Sequence, residues 1–254
     1  MIDRLDLRRR VHAAGIHLFI SAGVAILAAL LVFGLWFPGI YRQIAGGRDL
    51  FLLVTSVDVV LGPLLTFAVF NVKKGRTHLR QDLAIIGVIQ MAALIYGMST
   101  VSAARPVAMV FETDRFRVIA AAQVEQTELA DARPEYRTLP LTGQWLLGTR
   151  TPLGAERNDV LFKGLNGMDL AQRPRFWQPY TDSVADALAR SRPIAILLAR
   201  YPLIAPEIRA KLRELGVEED GAKFLPLVGR GGDWVTILDA AGRPVHFVRA
   251  DGFF

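Results

Sequence analysis

The segment Val54-Thr-Ser-Val-Asp-Val-Val-Leu-Gly-Pro-Leu-Leu-Thr-Phe-Ala-Val-Phe70 decides how this chain is organised. It is apolar and long enough to form most of a helix across a bilayer, yet it contains a carboxylate, Asp58, and a Gly62-Pro63 pair. A charge inside a membrane costs several kcal/mol unless it is paired, neutralised or hydrated. The segment therefore predicts a membrane span with an internal polar site.

Apolar residues are distributed unevenly along the 254 residues, of which 52% are hydrophobic. Long apolar runs at Gly15–Phe37, at about 50–71 and at about Leu83–Val101 predict three membrane helices. The first run exceeds the apolar region of a signal peptide and lacks a small-residue cleavage site, so we expect it to be retained. The chain has no cysteine, which excludes disulfides, thiolate nucleophiles and cysteine-ligated zinc.

The formal net charge of +6 comes mainly from the predicted membrane domain. Residues 1–104 hold ten Lys or Arg against five Asp or Glu, whereas residues 105–254 hold twenty against nineteen. The distal part therefore lacks the basic surface that binds nucleic acid, and we expect no nucleic-acid partner.

The basic residues also predict the orientation of the chain. The N-terminal tail and the loop between the second and third spans hold eight Lys or Arg, whereas the loop between the first two spans holds only Arg42 and Arg48. Positive loops stay in the cytoplasm. We therefore expect a bacterial inner-membrane protein with a three-helix transmembrane domain over 1–104, a short cytoplasmic N-terminal tail and a periplasmic domain over 105–254.

Polar and small residues at helical spacing mark a candidate intramembrane site. Ser21, Ala25 and Ala29 form a ridge of small residues on the first span, and the second and third spans carry comparable faces. These faces could pack inside a three-helix bundle or form a docking groove for another transmembrane helix, and the sequence leaves both interpretations open. The candidate residues are Thr55, Asp58, Gly62, Pro63, Thr66, Gln90, Tyr96 and Gly97.

Depth in the bilayer suggests partners for Asp58, which lies roughly 12 Å from the outer end of its span at 1.5 Å per residue. Tyr96 lies at a similar level, whereas His17 is expected near the cytoplasmic end and too far away. We expect Asp58 to be protonated or to accept hydrogen bonds from neighbours such as Tyr96 and Ser56. Pro63 removes a helical hydrogen bond and predicts a kink near Asp58.

The distal 105–254 region predicts an α+β domain with a mainly antiparallel sheet. A β-hairpin is expected over 107–121, and three strands are expected near the end of the sequence, at Lys223–Val228, Trp234–Leu238 and Val245–Arg249. We also expect a strand within Tyr136–Leu147, a helix near Asn158–Lys163 and an irregular exposed segment at Gln172–Pro179. Beyond these, the sequence predicts a helix from Asp182 to Arg190 capped by Thr181 and a buried strand at Ile194–Ala199. A last helix is expected to begin at Pro206 and to stop at Gly216.

The distal domain shows no recognisable catalytic or metal-binding pattern. His246 is its only histidine, and Ser102, Ser183 and Ser191 lack the context of a nucleophile elbow. Gly229-Arg-Gly-Gly-Asp233 lacks the strand-to-helix context of a phosphate loop, so we expect a hairpin turn there. We therefore expect no enzyme, no cofactor and no metal site.

Five sequence motifs together resemble the type IV pilin accessory proteins of the TfpX/TfpZ-like family. They are Gly15-Ile-His-Leu18, Trp36-Phe-Pro-Gly39, Val57-Asp-Val-Val-Leu-Gly-Pro-Leu-Leu-Thr66, Gln90-Met-Ala-Ala-Leu-Ile-Tyr-Gly97 and Arg105-Pro-Val-Ala-Met-Val-Phe-Glu-Thr-Asp-Arg-Phe116. The second-span motif and the last motif are the most specific. The resemblance covers about residues 14–120, so the rest of the distal domain is interpreted from its residues alone.

The resemblance implies a non-enzymatic, chaperone-like factor that binds and stabilises a type IV pilin and promotes its assembly into pili. Its implied partners are the pilin transmembrane helix and head domain, membrane lipid and other pilus assembly proteins. A salt bridge from Asp58 to the pilin's N-terminal ammonium is disfavoured, because that ammonium should lie near the cytoplasmic side. The alternative function is a membrane-anchored sensor or ligand-binding module with an extracytoplasmic domain.

Overall fold

A computed structural model describes residues 4–71 and 75–254 of the chain. Lys73 and Lys74, which contribute to the predicted cytoplasmic loop, lie outside the described residues. The chain divides into two compact units. The helical unit contains residues 1–38 and 47–104, and the distal unit contains residues 105–254 together with the short loop Gly39–Gly46.

The N-terminal half is built from helices. Within the described residues, three of them are long and apolar enough to cross a membrane, over Asp6–Trp36, Gly47–Val69 and Arg76–Ala103. The helices are α1 (Arg4–Leu31, continued by a π-helical turn at Val32–Trp36), α2 (Tyr41–Ile44, in the loop), α3 (Gly47–Val69) and α4 (Arg76–Ala103).

Helix α3 lies at the centre of the helical unit and packs against both α1 and α4. At its start, Gly47 leaves room for the buried ring of Phe37, which a Cβ at this position would overlap. At its end, Arg10 of α1 donates from Nη1 to the carbonyls of Phe67 (3.5 Å) and Ala68 (3.2 Å). A cation there satisfies unpaired carbonyls and complements the negative end of the helix dipole.

The distal unit is organised on one mixed sheet. In the described residues, five strand pairs are antiparallel and two are parallel, the pairs β1–β3 and β2–β6. The strand order is β4-β3-β1-β2-β6-β7-β8, with β5 paired to β6. The strands are β1 (Pro106–Glu112), β2 (Arg115–Ala120), β3 (Trp145–Thr149), β4 (Trp177–Pro179), β5 (Arg192–Pro193), β6 (Lys223–Gly229), β7 (Gly232–Leu238) and β8 (Pro244–Val248).

Two apolar cores cover this sheet. One surrounds β1 and β3 and includes Val110, Leu147 and Trp177. The other packs helices against β6 and β7 through residues such as Leu197 and Phe224. Burying each such side chain contributes about 1.5–3 kcal/mol. The helices of this unit are α5 (Glu156–Leu165), α6 (Val184–Arg190), α7 (Ile194–Arg200) and α8 (Ala205–Glu214).

Several predicted elements of the distal unit are confirmed. The β1–β2 hairpin, the three C-terminal strands and the α+β class with a mainly antiparallel sheet are present. Helix α5 includes the predicted Asn158–Lys163 segment. Helix α8 ends as predicted before Gly216, whose φ of 67° suits glycine.

Two predictions about local structure were wrong. The apolar run Ile194–Ala199 is not a strand, because it forms α7, in which Ile194, Leu197 and Leu198 are buried. Their spacing of three and four residues is helical, but the continuous apolar run also resembles a buried strand. The segment Gln172–Pro179 is not exposed, because Arg173, Phe176 and Trp177 are buried within it.

Two further predictions were wrong in their boundaries. Tyr136 lies in a 3-10 turn, and the predicted strand is confined to β3, which begins at Trp145. Thr181 does not cap a helix, since Tyr180–Ser183 is a 3-10 turn and α6 begins only at Val184. The hydroxyl of Thr181 instead donates to Asp182 at 3.4 Å. Turn residues predicted the change of direction but not the exact first helical residue.

Candidate functional site

The polar stripe of α3 faces the interior of the helical unit. Thr55, Gly62 and Thr66 are buried, and Asp58 is half-buried. The hydroxyl of Thr66 lies 2.6 Å from Nδ1 of His17 on α1, within hydrogen-bonding distance. The Thr55 hydroxyl donates to the carbonyl of Phe51 at 2.8 Å, within its own helix. The stripe thus contributes to packing between helices, as one of the two interpretations requires.

Gly62 brings α1, α3 and α4 together. A Cβ at this position would overlap the side-chain amide of Gln90 and lie 3.0 Å from Nε2 of His17. With glycine there, Gln90 Nε2 donates to the backbone carbonyl of Asp58 at 3.3 Å. Gly97 on α4 has a related role, since a Cβ there would overlap Val54. Small residues permit such close helix approach in membranes.

His17 belongs to this site, although its depth along the first predicted span does not indicate it. It was expected to lie too far from Asp58 to be its partner, and among the described residues no hydrogen bond or ion pair joins the two, although both line the same cavity. His17 also contacts the stripe at Thr66, two turns from Asp58. The signal was available in the sequence, because His17 lies four residues before Ser21 and so extends the ridge of small residues on α1.

The expected hydrogen bonds to the Asp58 carboxylate are not formed. The side chain of Tyr96 is 75% exposed on α4. The Ser56 hydroxyl donates to the carbonyl of Leu53 at 2.9 Å. Among the described residues, the carboxylate has no hydrogen-bond partner. Helix α3 continues through half-buried Pro63, and the kink expected there stays a prediction.

A cavity of about 180 Å³ opens beside this carboxylate. Its lining is mainly apolar, with five polar residues, His17, Ser21, Thr55, Asp58 and Gln90. In apolar surroundings such groups favour a hydrogen-bonding partner. Groups of three or more potential metal ligands are absent from the described part of the chain. The site can therefore bind through hydrogen bonds and apolar contact.

The glycine-rich turn of the distal unit receives the Gly39–Gly46 loop. The Gly231 N–H donates to the carbonyl of Ile44 at 2.8 Å, and Ile44 is fully buried. A Cβ at Gly229 or Gly231 would overlap the backbone of this loop. The turn joins β6 and β7, so the predicted hairpin is confirmed, and the close approach of the loop accounts for these two glycines.

A buried ion-pair network joins α5 to the rest of the distal unit. Arg173 is fully buried and donates to Glu128 through Nε (3.0 Å) and Nη2 (2.6 Å), and Nη2 also pairs with Asp159 of α5. Lys163 of α5 pairs with Glu128 at 3.1 Å. The network explains how Arg173 can be buried despite its charge, since a buried charge requires such partners.

The carboxylates of α5 are held in their ionised form. The hydrogen bond from Arg150, with a second from the Leu153 N–H, lowers the pKa of Glu156 from 4.5 to about 2. The hydrogen bond from Arg173 lowers the pKa of Asp159. Elsewhere in the unit, burial lowers the pKa of His246 on β8, which belongs to no metal-ligand cluster among the described residues.

Comparisons with known proteins identify similar chains. The family model described as the fimbrial assembly protein FimB matches residues 5–46. The fimbrial assembly protein of serogroup I from Dichelobacter nodosus is 37% identical over 243 residues, covering 94% of this chain and 95% of the relative. The serogroup E1 protein from the same organism is 35% identical with the same coverage. No solved structure matches the chain.

Proposed function

The chain belongs to the family of fimbrial assembly proteins, and from this premise we propose that it is a non-enzymatic accessory factor for type IV pilus assembly. In this proposal it binds the pilus subunit in the inner membrane, stabilises it and promotes its incorporation into pili. The names of relatives that match nearly the whole chain support a role in assembly. These names favour a role in assembly over that of a membrane-anchored sensor or ligand-binding module, which no specific observation supports.

The proposed orientation places the N-terminus in the cytoplasm and the distal unit in the periplasm. The distribution of Lys and Arg supports it. The hydrogen bond from Gly231 to Ile44 supports three membrane crossings, because the loop between the first two long helices lies beside the distal unit. Three membrane crossings require that this loop and the distal unit lie on the same side.

The observation that carries the proposed binding site is the half-buried Asp58 carboxylate. It lines an apolar cavity and has no hydrogen-bond partner among the described residues. A carboxyl group in a bilayer gains from a donor on a neighbouring helix, which also shields it from lipid. A pilus subunit with an apolar transmembrane helix is a partner that could supply such a donor from within the bilayer.

Site-specific photocrosslinking in cells that assemble pili tests this proposal. A photoreactive residue replaces Met91, which lines the cavity and is 56% exposed. The matched control replaces Val88, which lies on the same helix, is 69% exposed and does not line the cavity. We expect capture of the pilus subunit at position 91 and little at position 88. Capture of no subunit at either position would contradict the proposal.

A further inference from the structure

Helix α5 exposes its large apolar side chains and turns charged side chains toward the domain, which is the reverse of an ordinary surface helix. Such a helix buries its apolar face and exposes its charged one. In α5, the half-buried positions facing the domain include Glu156, Asp159 and Lys163, which take part in the ion pairs described above. None of the ten residues of α5 is fully buried.

The outward face of α5 carries its large apolar side chains. Leu161, Phe162 and Leu165 are 60%, 65% and 77% exposed, and Leu153 just before the helix is 66% exposed. We call these four residues the α5 apolar face. At roughly 200 Å² per fully exposed large side chain, they present on the order of 500 Å². Apolar patches of this size on soluble domains are often interaction sites.

The α5 apolar face lies, within the distal unit, at the end of β1 opposite to the point where the chain enters that unit. The third apolar helix ends at Ala103, so the chain enters the distal unit at Pro106, where β1 begins. A cavity of about 420 Å³ lies between α5 and the turn at the other end of β1, lined by residues including Thr113 and Val160. Seven residues of strand, at about 3.3 Å each, place α5 roughly 20 Å from that entry point.

The size and charge of the face argue against a second copy of this chain. A stable dimer needs about 800 Å² from each partner, and this face offers less. Arg157 lies exposed beside the face, whereas the helix carboxylates Glu156 and Asp159 are turned inward and paired. Two copies would therefore bring like charges together, while a partner with acidic residues around an apolar patch would complement the face.

We infer that the α5 apolar face docks the water-exposed head of the pilus subunit, through an apolar patch with an acidic rim on that head. This inference rests on the proposed function and adds a second contact outside the bilayer. Its modest area suits a client that must be released during assembly, because small interfaces support transient binding. Contact at both the cavity and this face would raise the effective concentration of one site for the other.

Photocrosslinking from the full-length chain in cells that assemble pili tests the inference. One photoreactive residue replaces Phe162, and the control replaces Leu203, which is 95% exposed elsewhere on the distal unit. We expect capture of the pilus subunit at position 162, at least tenfold above position 203. Capture of lipid, of a second copy of the chain or of no subunit at position 162 would overturn the inference.

Substitutions provide the matching affinity measurement. Phe162→Glu and Leu165→Glu should each weaken co-purification of the subunit about tenfold, because a charge opposes burial of the face. Leu203→Glu should have no effect, and all three variants should keep the parental thermal midpoint because the residues are exposed. Unchanged binding in both α5 variants would also overturn the inference. If the cavity position Met91 still captures the subunit, the proposed function stands while the α5 contact fails.

Discussion

At the residue scale, the fully buried Arg173 shows how strongly one side chain can determine local structure. It bonds to Glu128 and Asp159 from two segments that are distant in sequence. Arg173→Leu would leave Glu128 buried with fewer cationic partners, and breaking a buried ion pair costs about 3–5 kcal/mol. We expect a lower midpoint for thermal unfolding, measured by near-UV circular dichroism in detergent.

The control for Arg173 is an exposed ion pair in the same unit. Arg209 and Glu219 are 45% and 40% exposed and lie 2.9 Å apart. Arg209→Leu should cost less than about 1 kcal/mol, because water screens both charges. Equal midpoints for the two variants would show that the Arg173 network does not stabilise the fold.

Substitutions at Asp58 and Thr66 distinguish a role in partner binding from a role in helix packing within the polar stripe of α3. The Asp58 carboxylate has no hydrogen-bond partner in the described chain, so Asp58→Ala should leave protein abundance unchanged while pilus subunit levels and pilus number fall. Thr66→Val removes the 2.6 Å contact with His17 and should cost about 1 kcal/mol of bundle stability. Immunoblots and electron microscopy of pili measure the first outcome, and thermal unfolding in detergent measures the second. Normal piliation in the Asp58→Ala variant would count against a binding role.

The candidate site was only partly predictable from the sequence. Thr55, Gly62 and Thr66 were found because helical spacing places them on one face. Only its depth indicates Tyr96, although one residue along a helix turns the side chain by about 100°. Its neighbour Gly97 is therefore buried while Tyr96 is exposed. His17 was missed because depth was given more weight than its position on the face of α1.

Among the elements of the distal unit, α5 is attached to its neighbours mainly by ion pairs. Its attachment should therefore depend on pH. The folded state lowers the pKa of Glu156 to about 2 and also lowers the pKa of Asp159. A carboxylate with a lowered folded pKa stabilises the fold above its unfolded pKa, and this contribution disappears as pH falls through the folded value. We expect α5 to loosen progressively from about pH 4.5 to about pH 2.

A nitroxide label measures this loosening. The chain has no cysteine, so Asn158→Cys on the outer side of α5 gives a single labelling site. The mobility of the label should increase as pH falls through this range, whereas a label at Arg213→Cys on α8 should change later. A parallel change at both positions would indicate general unfolding instead of local release.

The β6–β7 turn and α5 provide a matched pair of glycine substitutions. Gly231→Ala would push a Cβ into the backbone carbonyl of Gln43, and we expect a loss of about 1–3 kcal/mol as the loop is displaced. Gly164→Ala meets no atom within 4 Å and should stabilise α5 by about 0.5–1 kcal/mol. Opposite shifts in the thermal midpoint would support this explanation, and equal shifts would contradict it.

Elements whose apolar residues recur at a regular spacing were predictable from the sequence. Elements whose burial depends on residues far along the sequence were not. Helix α8 has a polar side and a glycine stop, so its sequence indicates its fold. Arg173 is charged, and it is buried with Glu128 and Asp159 as its partners, neither of which its local sequence indicates. Its environment could not be read from local residues.

At the scale of the whole molecule, the orientation can be measured with single cysteines. We expect a membrane-impermeant maleimide to label Asn158→Cys in intact spheroplasts. Thr77→Cys, exposed at the start of α4, should react only after the membrane is permeabilised. The reverse pattern would overturn the proposed topology.

The family resemblance seen in residues 14–120 is confirmed by relatives that match nearly the whole chain. The grouping of Gly39–Gly46 with the distal unit was not predictable, because its partners lie far along the sequence. Local patterns indicate helices and strands, whereas a loop that docks on a distant turn depends on the completed fold.

The docked loop has a consequence for the order of synthesis. Ile44 leaves the ribosome long before Gly231, the residue that donates to its carbonyl. The Gly39–Gly46 loop can therefore dock only after β6 and β7 have been translated, since contacts between distant residues form late. A chain whose synthesis ends before this turn would have an undocked loop, which distinguishes it from the finished protein.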